Sequence, residues 1–182
     1  MARASRPRAP LPRFAVAWFP VPAGIEKVEA IRRRHDPASP LIPAHVSLVF
    51  PFPTSLTQLQ IATHVRSVVS RWPPVPVAFR RVRIHAGEFV FLMASRGAAS
   101  ITALHDKLYT RSLRQHLRPE FGYEPHITIA RNPDSRELEA ACAEAERLFP
   151  PEFAAVMREV ELLSVGRDGK IDRLESFALY SA

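Results

Sequence analysis

The sequence predicts an α+β fold: a bilobal internal duplicate, β-α-β-α-β written twice, with two antiparallel-rich sheets facing a central cleft. Three observations lead there. Short apolar runs rich in strand formers alternate with longer stretches whose apolar residues recur every three or four positions. The same order of elements starts again after residue 86. Two tetrapeptides with one shared pattern of residue types stand 81 residues apart in a chain of 182, close to half its length.

Phe14–Phe19 (FAVAWF) is an apolar run closed by Pro20 and Pro22, the pattern of a mostly buried strand. Ile25, Val28 and Ile31 recur at spacing three with charges between them, which predicts a helix ending at Asp36, Pro37 and Pro40. His45–Phe50 (HVSLVF), bounded by Pro43 and Pro51, is too short for a helix and reads as a strand. A helix over Leu56–Arg71 follows, with Leu59, Ala62, Val65, Val68 and Val69 on one side and prolines 73, 74 and 76 beyond its end. Val77–Ile84 is the strand that closes the first set.

The second set opens with Phe89–Met93 (FVFLM), a buried strand, and continues with a long amphipathic helix marked by Ile101, Leu104, Leu108, Leu113 and Leu117. His126–Arg131 (HITIAR) follows Pro125 as another strand. A helix carrying Leu138, Ala141, Ala145 and Leu148 comes next, opened by Asp134 or Ser135 as its cap. Strands near Val156–Val165 and Ile171–Tyr180 meet through Asp168-Gly169, a hairpin-turn dipeptide. Residues 1–13 are expected to be a disordered, basic, Pro-rich arm, and residues 14–182 a single bilobal domain with halves near 14–86 and 87–182.

With 47% apolar and 24% charged residues, the chain can bury a sizeable core and is not a disordered polymer. No apolar run approaches the roughly 18 to 20 residues of a membrane span, and the Arg-rich start lacks the apolar stretch of a secretory signal. One cysteine, Cys142, allows no internal disulfide and is a poor start for a metal site, so a cytoplasmic monomer without membrane contact, metal or cofactor is expected. The six glycines form neither a G-x-G-x-x-G nor a P-loop pattern, so any phosphate must be held by side chains. The formal charge of +7 points to an anionic partner. Four of its arginines, at 3, 6, 8 and 13, lie in the arm; without them 21 basic face 18 acidic residues, a net +3. That mild excess fits a small or single-stranded phosphorylated ligand better than a duplex-binding face.

His45-Val46-Ser47-Leu48 and His126-Ile127-Thr128-Ile129 share one grammar: histidine, apolar, hydroxyl, apolar. The period of a strand is two, so His45 with Ser47, and His126 with Thr128, project from one face while the apolar partners project from the other. With this composition the pattern arises at roughly 0.02 per histidine, so two hits among seven histidines are strong evidence of design. A histidine and a hydroxyl from each lobe can bracket a phosphate: the hydroxyls donate to its non-bridging oxygens. One neutral imidazole takes a proton from the attacking group, and the other, protonated, gives one to the leaving oxygen. Arg131, at the end of the second strand, can add a bidentate contact.

At these residues the chain resembles the two-histidine (2H) phosphoesterase superfamily, which includes 2′-5′ RNA ligase-like proteins and cyclic phosphodiesterases. The resemblance spans nearly the whole chain after the arm. It implies a bilobal duplicate with the paired motif H-x-[ST]-apolar, catalysis by His45 and His126, phosphate binding by Ser47 and Thr128, and a further phosphate contact at Arg131. The implied reaction opens a 2′,3′-cyclic phosphate, or cleaves or joins a 2′-5′ linkage, without a metal. RNA ends or small cyclic nucleotides are then the substrates, His126 the base and His45 the acid. A non-catalytic RNA- or nucleotide-binding module on the same fold is the competing reading. It has no need of a matched acid and base. Clustered Asp, His and Asn ligands of a metallophosphoesterase are not visible.

Other residues have plainer roles. His35, His64, His85, His105 and His116 lack the hydroxyl partner and read as surface or packing residues. Arg32, Arg33 and Arg34 read as a solvated helix end favoured by the helix dipole. Arg81 and Arg83 alternate on a strand and could line a basic groove. Phe52 and Tyr123, flanking the motifs, are candidates for stacking a base, with packing as the simpler alternative.

Overall fold

The computed structural model describes residues 10–120, 122–132, 134–149 and 152–180. Residues 1–9 of the expected arm lie outside that set. Residues 10–12 are exposed and irregular, and Arg13, placed in the arm by the sequence, instead opens β1 (Arg13–Trp18) and pairs with Pro53.

The elements follow the expected order. After β1 come α1 (Ile25–His35), β2 (Val46–Pro53), α2 (Gln58–Val69) and β3 (Val75–His85). The second round has β4 (Phe89–Ala94), α3 (Ala98–Leu108), β5 (His126–Arg131), α4 (Ser135–Leu148) and β6 (Phe153–Met157). A hairpin of β7 (Glu159–Val165) and β8 (Ile171–Ala178) ends the chain. The caps are local chemistry. Thr57 and Gln60 form a capping box at α2, and the Asp134 carboxylate accepts from the Arg136 and Glu137 amides at α4. Gly169, at φ 84°, supplies the left-handed residue of the β7–β8 turn.

Two four-stranded antiparallel sheets result, in the orders β2-β1-β7-β8 and β5-β4-β3-β6. Each motif strand is an edge strand. The sheets do not follow the expected halves 14–86 and 87–182. β3, from the first half, pairs with β4 and β6 in the second sheet, whereas β7 and β8, from the second half, pair with β1 in the first. The run expected as one strand near 156–165 is therefore two, broken at Arg158 because β6 and β7 belong to different sheets.

The crossover helices tie the lobes together. α1 leaves the first sheet yet packs on β5 and α4, and α3 leaves the second sheet yet packs on β2 and α2. One continuous core runs between them, from Val16, Leu48 and Ile61 to Leu92, Ile127 and Ile129. Two further expectations fail for reasons of packing. The helix expected through Leu117 stops at Leu108, where Arg111 turns to φ 49° and a 3₁₀ segment, Arg111–His116, sinks Leu113 into the core. Leu59, assigned to the buried side of α2, is exposed, and Ile61 and His64 are buried instead.

Candidate active site

The period-two reading of both motifs holds. Val46 and Leu48, and Ile127 and Ile129, are at most 1% exposed, while His45, Ser47, His126 and Thr128 stay half-buried on the opposite face. Burying each isoleucine contributes about 1.5 to 3 kcal/mol, which pins the strand's rotation and so aims its histidine.

Both histidines are held the same way. Nδ1 of His45 lies 2.8 Å from the Pro43 carbonyl, and Nδ1 of His126 lies 2.6 Å from the Glu124 carbonyl. A carbonyl can only accept, so in each ring Nδ1 carries the hydrogen and Nε2 is the nitrogen left for chemistry. Burial pulls both imidazoles below their ordinary 6.5. For His126 the value falls to about 4: desolvation dominates, and charge on His45 and His85 adds to it against the Glu124 carbonyl. The two motif histidines thus sense each other electrostatically across the lobes.

Arg131 joins this face through a bulge. Strict alternation from His126 and Thr128 would place residue 131 on the core side. Between Val90↔Ala130 and Phe91↔Thr128 the register shifts, so Ile129 and Ala130 both face the core and Arg131 returns to the reactive face. Its guanidinium stands 4.9 Å from the centre of the Phe89 ring. His126 itself stacks on Phe91, 3.6 Å between ring centres. The first lobe has a related arrangement: His45 lies 6.0 Å from Phe19, whose ring carries the Arg173 guanidinium at 4.1 Å. Arg173 in turn pairs with Glu161 at 2.9 Å.

The stacking candidates have other duties. Tyr123 lies flat against His105, at 3.6 Å and 7°, and donates its hydroxyl to the Ser47 carbonyl at 2.9 Å. Burial pushes its phenol far above the ordinary value, so it stays a donor. With His105 reaching the Leu48 carbonyl and the Phe50 amide donating to the Tyr109 hydroxyl, three side chains close the exposed edge of β2. Phe52 is 3% exposed and packs on His116, 4.4 Å between centres. The Phe52 ring is thus taken up in packing, and one face of the half-buried Tyr123 ring is occupied by His105.

The solvated reading of Arg32 is also corrected. It is 1% exposed and donates to Asp36 (2.9 Å), to Glu29 (3.2 Å) and to the Ile42 carbonyl (2.9 Å). Glu29 also accepts from the Ala44 amide at 2.6 Å. This trio, with Arg32 and Asp36 buried and Glu29 half-buried, fastens the segment that delivers Pro43 and His45. The spacing Glu29, Arg32, Asp36 is i, i+3 and i, i+4 on one helix face, a signal that could have singled it out. Arg34 and His35 reach Glu144 on α4. His64 and His105 are packing residues, as read, each bonded to a main-chain carbonyl.

Two hollows, of about 500 and 350 Å³, share Arg71 and Trp72 as lining and run beside α2 and α3; neither touches a motif residue. Among the described residues, no three His, Cys, Asp or Glu side chains converge as a metal ion would require, and no helix is long and apolar enough to cross a membrane.

Known proteins resemble this one in sequence and in fold. A protein of Geobacillus thermodenitrificans, provisionally named a phosphoesterase, is 26% identical over 164 residues, covering 88% of this chain and 84% of its own. A similarly named Bacillus licheniformis protein is 27% identical over 120 residues, 65% of this chain and 70% of that one. E. coli LigT in its apo form shares the fold with a TM-score of 0.64 at 18% identity, over 93% of this chain and 98% of that one. The same protein complexed with 3′-AMP gives 0.63 at 18%, over 93% and 99%. The family model of the 2′-5′ RNA ligase superfamily matches residues 19–169, a span that holds both histidine motifs, and the chain belongs to that superfamily.

Proposed function

We propose that this protein is a metal-independent phosphodiesterase of the two-histidine type, which opens 2′,3′-cyclic phosphates or cleaves or joins 2′-5′ linkages in RNA or small nucleotides. The observation that carries it is the matched tethering of His45 and His126, each committed at Nδ1 to a main-chain carbonyl two residues back and free at Nε2. A binding module would need the phosphate donors alone. That LigT was crystallised with 3′-AMP, with phosphate and with NADP+ supports a phosphorylated nucleoside as ligand.

The chemistry then runs on side chains. Neutral His126 takes a proton at Nε2 from the attacking water as its oxygen closes on phosphorus. His45 donates a proton from Nε2 to the ribose oxygen that leaves on the far side. An anionic phosphate between them opposes the desolvation that keeps His45 neutral in the free protein, so substrate itself helps to charge the acid. Ser47 and Thr128 donate to the non-bridging oxygens, and Arg131 balances the charge that grows there.

The test is turnover of 2′,3′-cyclic nucleotides, 2′-5′-linked oligonucleotides and ADP-ribose cyclic phosphate in the presence of EDTA. Hydrolysis of at least one, lowered by about 10² to 10⁴ in His45→Ala and in His126→Ala, is expected. Binding of these compounds without turnover would move the protein to the binding-module reading.

A further inference from the structure

Three residues on β3 stand on the same sheet face as the second motif, and the reaction described above uses none of them. The register across the sheet forms a grid. Arg81 pairs with Met93 and Met93 with His126; Arg83 pairs with Phe91 and Phe91 with Thr128; His85 pairs with Phe89 and Phe89 with Arg131. Between these rows Val82 faces Leu92 and Ile84 faces Val90, and Leu92 and Val90 enter the core. Arg81, Arg83 and His85 must therefore point the way His126 and Thr128 point. Contacts agree: His85 stacks on Phe91 at 4.8 Å between centres, Phe91 on His126 at 3.6 Å, and Arg83 forms an ion pair with Glu124.

The outer column of this grid is cationic or ionisable at every position, and all three of its side chains are exposed. Alternate residues on a strand are about 6.7 Å apart, a spacing comparable to that of successive phosphates along an extended single strand. Between it and the motif lie the half-buried Met93 and Phe89, with Phe91 buried between them under His85 and His126. Arg81 has no carboxylate partner among the described residues, and Glu124 is the acid paired with Arg83. With Arg13 counted in β1, the folded body has 22 basic against 18 acidic residues, a net charge of only +4, so a cluster of this kind is a local feature, not a reflection of a uniformly basic surface.

From this juxtaposition we propose that the β3 column of Arg81, Arg83 and His85 is a track for the phosphates of the RNA strand that adjoins the reacting phosphate, so that the protein acts on single-stranded oligonucleotide ends in preference to mononucleotides. The proposal rests on the phosphodiesterase reading for its reaction and not for its binding. Substrate enters with its reacting phosphate at His126 and Thr128 and runs outward across β4 to β3. The contacts are electrostatic and independent of base.

Two measurements separate the proposal from the reading beneath it. The first compares kcat/KM for a 2′,3′-cyclic mononucleotide with that for an oligoribonucleotide ending in the same cyclic phosphate. The second measures binding of a 3′-phosphorylated oligoribonucleotide by fluorescence anisotropy between 50 and 200 mM salt, which needs no turnover. Arg81→Glu, which leaves the Arg83–Glu124 pair intact, and Arg81→Glu/Arg83→Glu are the variants. The parent should prefer the oligonucleotide. Arg81→Glu should lose about tenfold or more on it while keeping mononucleotide turnover within about twofold, the double variant should bind the oligonucleotide more weakly still, and the salt slope should shrink by about 0.7 for each phosphate contact removed. Equal efficiency of the parent on both substrates, unchanged oligonucleotide binding in both variants, or equal loss on both substrates in Arg81→Glu would overturn the track. If the parent turns over neither substrate but binds the oligonucleotide through Arg81 and Arg83, the track stands and the enzymatic reading falls.

Discussion

The hydroxyl of Tyr123, three residues before His126, donates to the main-chain carbonyl of Ser47, two residues after His45. This 2.9 Å bond joins the approach to one motif strand to the middle of the other. The two motif strands are thus fastened beside their histidines, as well as through the distant core.

Tyr123→Phe should therefore separate fastening from packing. The ring still stacks on His105, and only the hydrogen bond is lost, so stability should fall by about 0.5 to 1.5 kcal/mol. Activity should fall further than that loss of folded protein accounts for. Urea denaturation beside kcat at saturating substrate reads both, and unchanged kcat would show that the fastening plays no part in alignment.

The low proton affinity of His126 makes stability depend on pH with a definite sign. Its folded value of about 4 lies below the unfolded 6.5, so between those values the unfolded chain binds the extra proton. Stability from this residue is complete above about pH 6.5 and is lost progressively as pH falls toward 4. His105 and His116 are shifted the same way by burial, so the parent alone does not isolate the effect. The difference in Tm between parent and His126→Asn, followed from pH 7.5 to 4.5, should narrow on acidification. A constant difference would mean that the His126 proton affinity is ordinary.

Arg32→Ala leaves the buried Asp36 carboxylate without its partner and should cost about 3 to 5 kcal/mol. Arg32→Lys keeps the charge but cannot serve Asp36, Glu29 and the Ile42 carbonyl together. It should fold, lose less stability, and lower kcat because the segment before His45 loosens. Stability by urea and kcat at a temperature where each variant is fully folded check this; full activity in Arg32→Lys would confine the trio to a structural role.

The hydroxyls should matter less than the histidines. In the proposed mechanism Ser47→Ala and Thr128→Ala would each remove one neutral hydrogen bond to the phosphate, worth about 1 to 3 kcal/mol, or roughly 5- to 150-fold in rate. His45→Ala and His126→Ala should each lose about 10² to 10⁴. A substrate whose leaving oxygen needs no proton should restore much of the rate to His45→Ala and little to His126→Ala, and the reverse pattern would exchange acid and base.

Much of this protein is written locally. The period of two in HVSL and HITI assigns a core face and a reactive face to each motif strand without reference to the rest of the chain, because pleating alone sets which side chains share a face. The Asp134 cap and the Asp168-Gly169 turn are equally local, since their partners lie within three residues. The duplicated order of elements and the α+β class follow from the same kind of pattern. What the chain could not reveal depends on partners far away in sequence. β3 and β7 look alike as runs of residues, and only pairing across the molecule sends each to the sheet of the other half. Arg32 reads as a solvated cation until Asp36, Glu29 and the carbonyl of Ile42 close around it. Tyr123 and Phe52 allow stacking or packing as a sequence, and only the fold sets His105 and His116 against them. Arg131 sits an odd number of residues from His126, and it reaches the reactive face because the pairing of β5 with β4 takes up one extra residue as a bulge, a choice made by packing Ile129 and Ala130 together into the core.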